Sequence, residues 1–374
     1  MNNFYISPNL SNFLNFLRWF SAFIVVIGHL RSILFHDIHN TNIDSILWNF
    51  FYFITGFGHQ AVIVFFVVSG FLVSGSMLRR YKKGELNIKY LIYDRAVRIY
   101  IVLIPALIFT ALIDFIGINY FNVTGIYTNH LNFSSLNYSI ENRLSYEVFI
   151  GNLFMLQETF FKTFGSNSPL WSLAYEVWYY IYFFAILSFF LIKNNLVKMI
   201  LLSFISILSI LLNSNILLYG TIWLLGVIPW YIKTKISYLY ILTIIILFFT
   251  TLIVSRLHII HTEFYIDFLF AISIMGLILV VKNNFIKPYI FFHKVNKILA
   301  NFSYTLYLIH FPIIIFLISL LNKYFMLPIQ SVPSINRLFI FMLIIAIIYI
   351  VSIIFAKFTE DKTKIIQKRL LDEN

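Results

Sequence analysis

Residues 17–30 read LRWFSAFIVVIGHL, and the fold follows from this stretch. It sits inside an apolar segment from about residue 13 to 35, long enough to cross a bilayer. Two ionisable side chains interrupt it, Arg18 near its start and His29 near its end. Their R-x10-H spacing is close to three helical turns, so they share one face, roughly 16 Å apart along the axis. An ionisable residue within a membrane helix is costly and usually faces a protein interior or a polar cavity. Two on one stripe suggest a polar seam through the bilayer. An arginine snorkelling to one edge and an interfacial histidine at the other fit this helix equally well.

The whole chain has the same character. Its 374 residues are 60% apolar, 20% aromatic and only 11% charged, with a mean hydropathy of +0.87. Soluble domains carry about a quarter charged residues. The apolar runs are continuous, as in IVVIG and IIILFF, and do not alternate as barrel strands do. The fold class is therefore all-α, a polytopic integral membrane protein. The absence of cysteine excludes disulfides and a thiolate nucleophile. No HExxH-type spacing supports a metal site. The formal charge of +12 is explained by basic cytoplasmic loops, so no nucleic-acid partner is invoked.

Ten spans are expected, near residues 13–35, 59–78, 99–118, 170–192, 198–213, 216–232, 237–254, 264–281, 302–321 and 336–357. The aromatic stretch ILWNFFYFITG before the second reads as interfacial or re-entrant. The most basic segment, residues 79–98, is assigned to the cytoplasm. Alternation then leaves Arg31, Arg143, Lys162, Arg256, Lys323 and Arg337 as the outer cations. Both termini are expected inside, with the long polar region 119–169 outside. The first apolar segment reads as a retained span, without a cleavable signal. One transmembrane domain, 1–374, is expected, ending in a charged cytoplasmic tail from about 358.

This orientation brings candidate chemistry into view. Glu176 lies about two turns into the fourth span, at a depth that should resemble that of His29. A histidine and a carboxylate at matching depth can form a general-base dyad, the carboxylate orienting the imidazole. Glu176 paired to a cation such as Arg31, merely to be tolerated, is the alternative. Arg95 and Arg98 share a helix face at the cytoplasmic end of the third span and suit phosphate oxygens. Anionic lipid headgroups account for the lysines around them. Ser69 and Gly70 in FFVVSGFL permit close helix packing, or admit a thin ligand arm. In the ninth span, which also holds Ser303, the residues Tyr304, Tyr307 and His310 form a drifting polar stripe that fits lining the same cavity as Arg18 and His29 and interhelical hydrogen bonding equally well, and Pro312 frees a backbone carbonyl four residues earlier.

Taken in order, these stretches resemble acyltransferase family 3, integral-membrane enzymes that modify bacterial surface glycans. The resemblance rests on Arg18 and His29, FFVVSGFL at 65–72, Arg95 with Arg98, WSLAYE at 171–176 and SYTLYLIH at 303–310; Glu360 is also family-like. It implies transfer of an acyl group, usually acetyl, from cytoplasmic acyl-CoA to a hydroxyl on the outer side, in the bacterial inner membrane. It implies a catalytic His29, with Arg18, Arg95 and Arg98 on the donor side. Ser69, Trp171, Tyr304 and His310 join them as substrate-binding candidates, and Glu176 as the partner of His29. Acetyl-CoA enters as a substrate, no bound cofactor is implied, and membrane lipids and a glycan or lipid-linked sugar are the other partners. The first helix departs from the family in lacking the usual Asp and Gly beside the Arg, and no SGNH-type esterase domain is appended. A lipid-linked glycan transporter, using the same seam without chemistry, is the rival reading; a membrane glycan polymerase has little support in the weakly charged outer loop.

Overall fold

The architecture comes from a computed structural model, which describes residues 5–38, 45–84, 87–128, 133–257, 263–284 and 290–372. Residues 39–44 of the first outer loop, 129–132 of the NHLN stretch and Lys287 of an expected cytoplasmic loop lie outside it. The helices in chain order are α1 (Pro8–Leu34), α2 (Ile46–Ile54), α3 (Gly58–Lys82), α4 (Ile88–Ile116), α5 (Tyr146–Leu153), α6 (Leu170–Leu191) and α7 (Asn195–Leu211). They continue with α8 (Ser214–Leu225), α9 (Tyr238–Arg256), α10 (Glu263–Asn283), α11 (Ile290–Asn301), α12 (Ser303–Phe325), α13 (Ile335–Phe358) and α14 (Thr363–Asp372). Among the described residues there is no sheet, only isolated bridges. This all-helical build satisfies backbone polar groups within each segment, as a bilayer demands.

Eight helical stretches are long and apolar enough to span a membrane. They meet eight of the ten expected spans. The other two, the shortest, are α7 and the stretch from α8 to Trp230. They form a pair bent by 117° at the break between them, so the described spans number eight, or nine if the pair crosses as one. Asn213 makes the break: its side chain accepts from the Asn215 N–H and starts a new helix. The break falls at the boundary expected between the fifth and sixth spans; length and hydropathy do not tell two crossings from one bent pair.

Contacts divide the chain into two compact units. The first holds residues 1–21, 60–93 and 172–299; the second holds 22–59, 94–171 and 300–374. In the first, α3 and α8 approach through glycine. A Cβ on Gly70 would sit 2.0 Å from the Trp223 carbonyl oxygen, and one on Gly226 2.2 Å from that of Val67. Helices in lipid associate through such close packing, since lipid tails give no hydrophobic drive between them. Trp230 then stacks on Phe71 at 4.3 Å and donates to its carbonyl at 2.8 Å. The Asn296 side chain ties α11 to α1, accepting from Trp19 Nε1 and donating to Asn12 Oδ1, both at 2.9 Å.

In the second unit α12 is buried along most of its length. The outer segment folds over itself: Asn152 bonds the backbone of Val148, Lys162 and Phe164. The Arg143 guanidinium lies 3.2 Å over the Tyr138 ring and donates to Thr163. The end of α1 is held by Ser331, whose N–H donates to Leu34 and whose carbonyl accepts from His36. A Gln330 amide donates to the Ser32 carbonyl at 2.9 Å. These ties fix the half of α1 that carries His29.

Candidate functional site

His29 and His310 meet in the second unit. Nδ1 of His29 and Nε2 of His310 are 2.9 Å apart. The two rings are nearly coplanar, 5° apart with centroids 5.2 Å apart, and Phe311 packs edge-on against His29. The remaining contacts fix the direction of this bond. His310 Nδ1 lies 2.8 Å from the Tyr307 carbonyl oxygen and 3.2 Å from that of Leu306. Carbonyls only accept, so Nδ1 of His310 carries the proton. In the neutral ring its Nε2 is then an acceptor. His29 Nδ1 must therefore donate, and the lone pair of neutral His29 sits on Nε2. His310 is fully buried, whereas His29 is partly exposed.

The helix that carries His310 is held at two places. The first is its N-terminal turn, where Glu360 accepts from the Thr305 N–H at 3.0 Å and from the Thr305 hydroxyl at 2.9 Å. A carboxylate there satisfies a helix N–H that lacks an intrahelical partner and complements the positive end of the dipole. The second is Pro312. Proline has no N–H for the Leu308 carbonyl, and the Asn167 side chain donates to it instead, at 2.7 Å. Asn167 sits in a loop fixed by Asp114, whose Oδ2 accepts from the Ser166 N–H at 2.7 Å. Gly165 beside it has φ +53°, and a Cβ there would lie 2.4 Å from Asp114 Oδ2, so only glycine fits. Tyr307 adds a further tie, its hydroxyl donating to the Pro169 carbonyl at 3.3 Å.

Glu176 belongs to the first unit and has partners of its own. Its Oε1 accepts from Ser69 Oγ at 2.5 Å and from the Tyr180 hydroxyl. Trp223 Nε1 donates to Ser69 Oγ at 3.2 Å. Within the units, the side chain bonded to His29 is His310, and the groups bonded to Glu176 are hydroxyls. Ser69 is 9% exposed, and its Oγ meets protein groups. Gly70 serves the packing of α3 on α8.

The cationic candidates occupy distinct settings. Arg18 is half-buried on α1. Arg95 is 12% exposed beside Asp94, with Nε 3.6 Å from its Oδ2, whereas Arg98, expected to share its face, is exposed. Asp94 is tied to the C-terminal helix through the Gln367 amide at 3.0 Å. Trp171 is partly exposed at the start of α6, and the Tyr304 hydroxyl donates to the Ile99 carbonyl at 3.4 Å. Among the described residues no group of three acids or histidines could hold a metal ion.

A polar apparatus of this kind within apolar helices has a counterpart among known sequences. The family profile described as an acyltransferase domain matches residues 11–357. The chain belongs to acyltransferase family 3. Neither a curated protein nor a solved structure matches it significantly. This membrane acyltransferase is thus an enzyme that draws on acyl-CoA donors. The match spans the histidine pair, the Glu176 cluster and Arg95 with Arg98.

Sequence reasoning about the acyltransferase passed over Asp114 and Asn167. A signal for Asp114 existed: it is the one acid inside the third apolar span, and an intramembrane acid is a functional candidate by default. Asn167 had none, because a loop asparagine before a helix reads as ordinary turn chemistry.

Proposed function

We propose that the enzyme transfers an acetyl group from cytoplasmic acetyl-CoA to a hydroxyl of a cell-surface or lipid-linked glycan in the bacterial inner membrane. The observation that carries this reading is the tautomer relay. It leaves a lone pair on His29 Nε2, on a partly exposed ring whose other nitrogen is occupied. General-base catalysis needs such a lone pair, presented in a fixed direction.

The chemistry runs as follows. The acceptor hydroxyl gives its proton to His29 Nε2 while its oxygen attacks the thioester carbonyl. The tetrahedral intermediate collapses, the carbon–sulfur bond breaks, and the CoA sulfur takes the proton back from Nε2. The Nδ1–H of His29 stays bonded to His310 throughout, and the imidazolium is stabilised by the His310 lone pair. His310 is thereby reassigned from binding substrate to orienting the base. Arg95 and Arg98 take the CoA phosphates, with Trp171 and Tyr304 as further donor-binding residues of the second unit; Arg18 is a donor-binding cation of the first. Glu176 and Ser69 anchor one another in the first unit. The chain works as a single acyltransferase domain with ten spans and both termini in the cytoplasm.

The test uses membranes carrying the wild type or His29→Ala, supplied with acetyl-CoA labelled in the acetyl group. Label in the glycan fraction with the wild type alone supports the reading. Equal label with both removes His29 from the mechanism. A transport activity without label would favour movement of a lipid-linked glycan, against which family membership already weighs.

A further inference from the structure

A buried polar chain in the second unit is explained neither by the motifs that carry the family resemblance nor by the reaction. Asp114, Ser166 and Asn167 are each fully buried in the second unit. Asp114 Oδ1, Ser166 Oγ and Asn167 Oδ1 have no hydrogen-bond partner among the described residues. A buried polar group left so forfeits the hydrogen bond it had with water. A carboxylate and an amide kept at that cost inside a membrane protein need a compensating purpose. Their satisfied halves point to it. Asp114 Oδ2 holds the Ser166 N–H, the next residue is Asn167, and its amide reaches Leu308 at 2.7 Å and Thr110 at 3.3 Å. Leu308 lies between Tyr307, whose carbonyl fixes the His310 tautomer, and His310 itself.

We propose that Asn167, held by Asp114, is a positioning residue for His310. It occupies the Leu308 carbonyl that Pro312 leaves without an N–H. It thereby fixes the local path of α12, which aims His310 Nε2 at His29 Nδ1. Without it the carbonyl would seek another donor, and the backbone would tilt at the turn that carries both His310 and its tautomer-setting carbonyls. A tilt of an ångström at a catalytic group can cost about 100-fold in rate. The inference rests on the reading of His29 as the base.

The chemistry of proline supplies a sharp test. In Pro312→Ala the new residue has its own N–H for the Leu308 carbonyl, so Asn167 becomes dispensable. Turnover with labelled acetyl-CoA and native membranes as acceptor is measured per folded molecule for the wild type, Asn167→Ala, Pro312→Ala and the double variant. Asn167→Ala should lower kcat about 10- to 100-fold with KM for acetyl-CoA unchanged. In the Pro312→Ala background the same substitution should change kcat less than about twofold, a non-additivity that reports a shared partner. Asp114→Asn, which keeps an oxygen for Ser166, should stay closer to the wild type than Asp114→Leu. Wild-type kcat in Asn167→Ala overturns the proposal, as does an equal penalty in both backgrounds or a loss wholly accounted for by less folded protein. His29→Ala is run alongside. If it retains full activity, the base reading fails. If it is inactive while Asn167→Ala turns over normally, only the role of Asn167 fails.

Discussion

Two polar clusters lie within apolar helices of this protein, and they are wired in opposite ways. In the second unit, His29 and His310 form a directional relay: carbonyl, protonated Nδ1, acceptor Nε2, protonated Nδ1, and finally an unused lone pair. In the first unit, Glu176 is a convergence point, with Ser69 and Tyr180 both donating to one oxygen and Trp223 backing the serine. A relay has an end, and chemistry happens there. A convergence point consumes its capacity on the protein and gains rigidity. Both are ways to keep ionisable groups in a bilayer, but only the first leaves a lone pair for the base we propose.

Substitutions should separate the two along this line. The largest effect belongs to the end of the relay. His29→Ala should lower acetyl transfer about 100- to 10,000-fold, the range of a lost general base, with the protein still folded. Next comes the middle of the relay. His310→Ala should cost up to about 100-fold in kcat by freeing the His29 ring. His310→Gln can still accept from His29 Nδ1 through its amide oxygen and should lose less. If the two were equally impaired, His310 would be acting by other means than as an acceptor.

The convergence point should answer mainly in stability. Glu176→Ala removes the shared acceptor of the Ser69 and Tyr180 hydroxyls, leaving them 3.1 Å from one another, and should cost about 1–3 kcal/mol, read as a lower unfolding temperature in detergent. A loss of turnover as deep as that of His29→Ala, with stability kept, would erase the contrast. The smallest effect is reserved for the cap of α12. Glu360→Ala should cost about 1 kcal/mol through the lost Thr305 bonds, again by thermal unfolding.

Much of this was legible in the residues. Continuous apolar runs of about 20 residues predict helices that cross a bilayer, and α1, α3, α4, α6, α9, α10, α12 and α13 stand where those runs are. His29 and His310 were both visible as polar residues in such runs. Their pairing was not, because residues 281 positions apart leave no spacing signal. Pro312 announced a vacant carbonyl, but nothing in the chain told that Asn167 would fill it. Glu176 was matched to His29 by depth, a coordinate that helix periodicity gives, whereas its actual partners depend on how α3, α6 and α8 pack. The break at Asn213 was legible as the boundary between two spans, but the 117° bend was not, because hydropathy carries no angle.

The proposed chemistry requires that Nδ1 of His29 bear the proton. Nitrogen-15 magnetic resonance of the histidine-labelled protein in lipid, with His29→Ala used to assign its signals, reads this directly. Resonances of a neutral imidazole protonated at Nδ1, shifting when His310 is replaced by alanine, are the predicted result. A His29 ring protonated at Nε2 and indifferent to His310 would contradict the relay and the base that ends it.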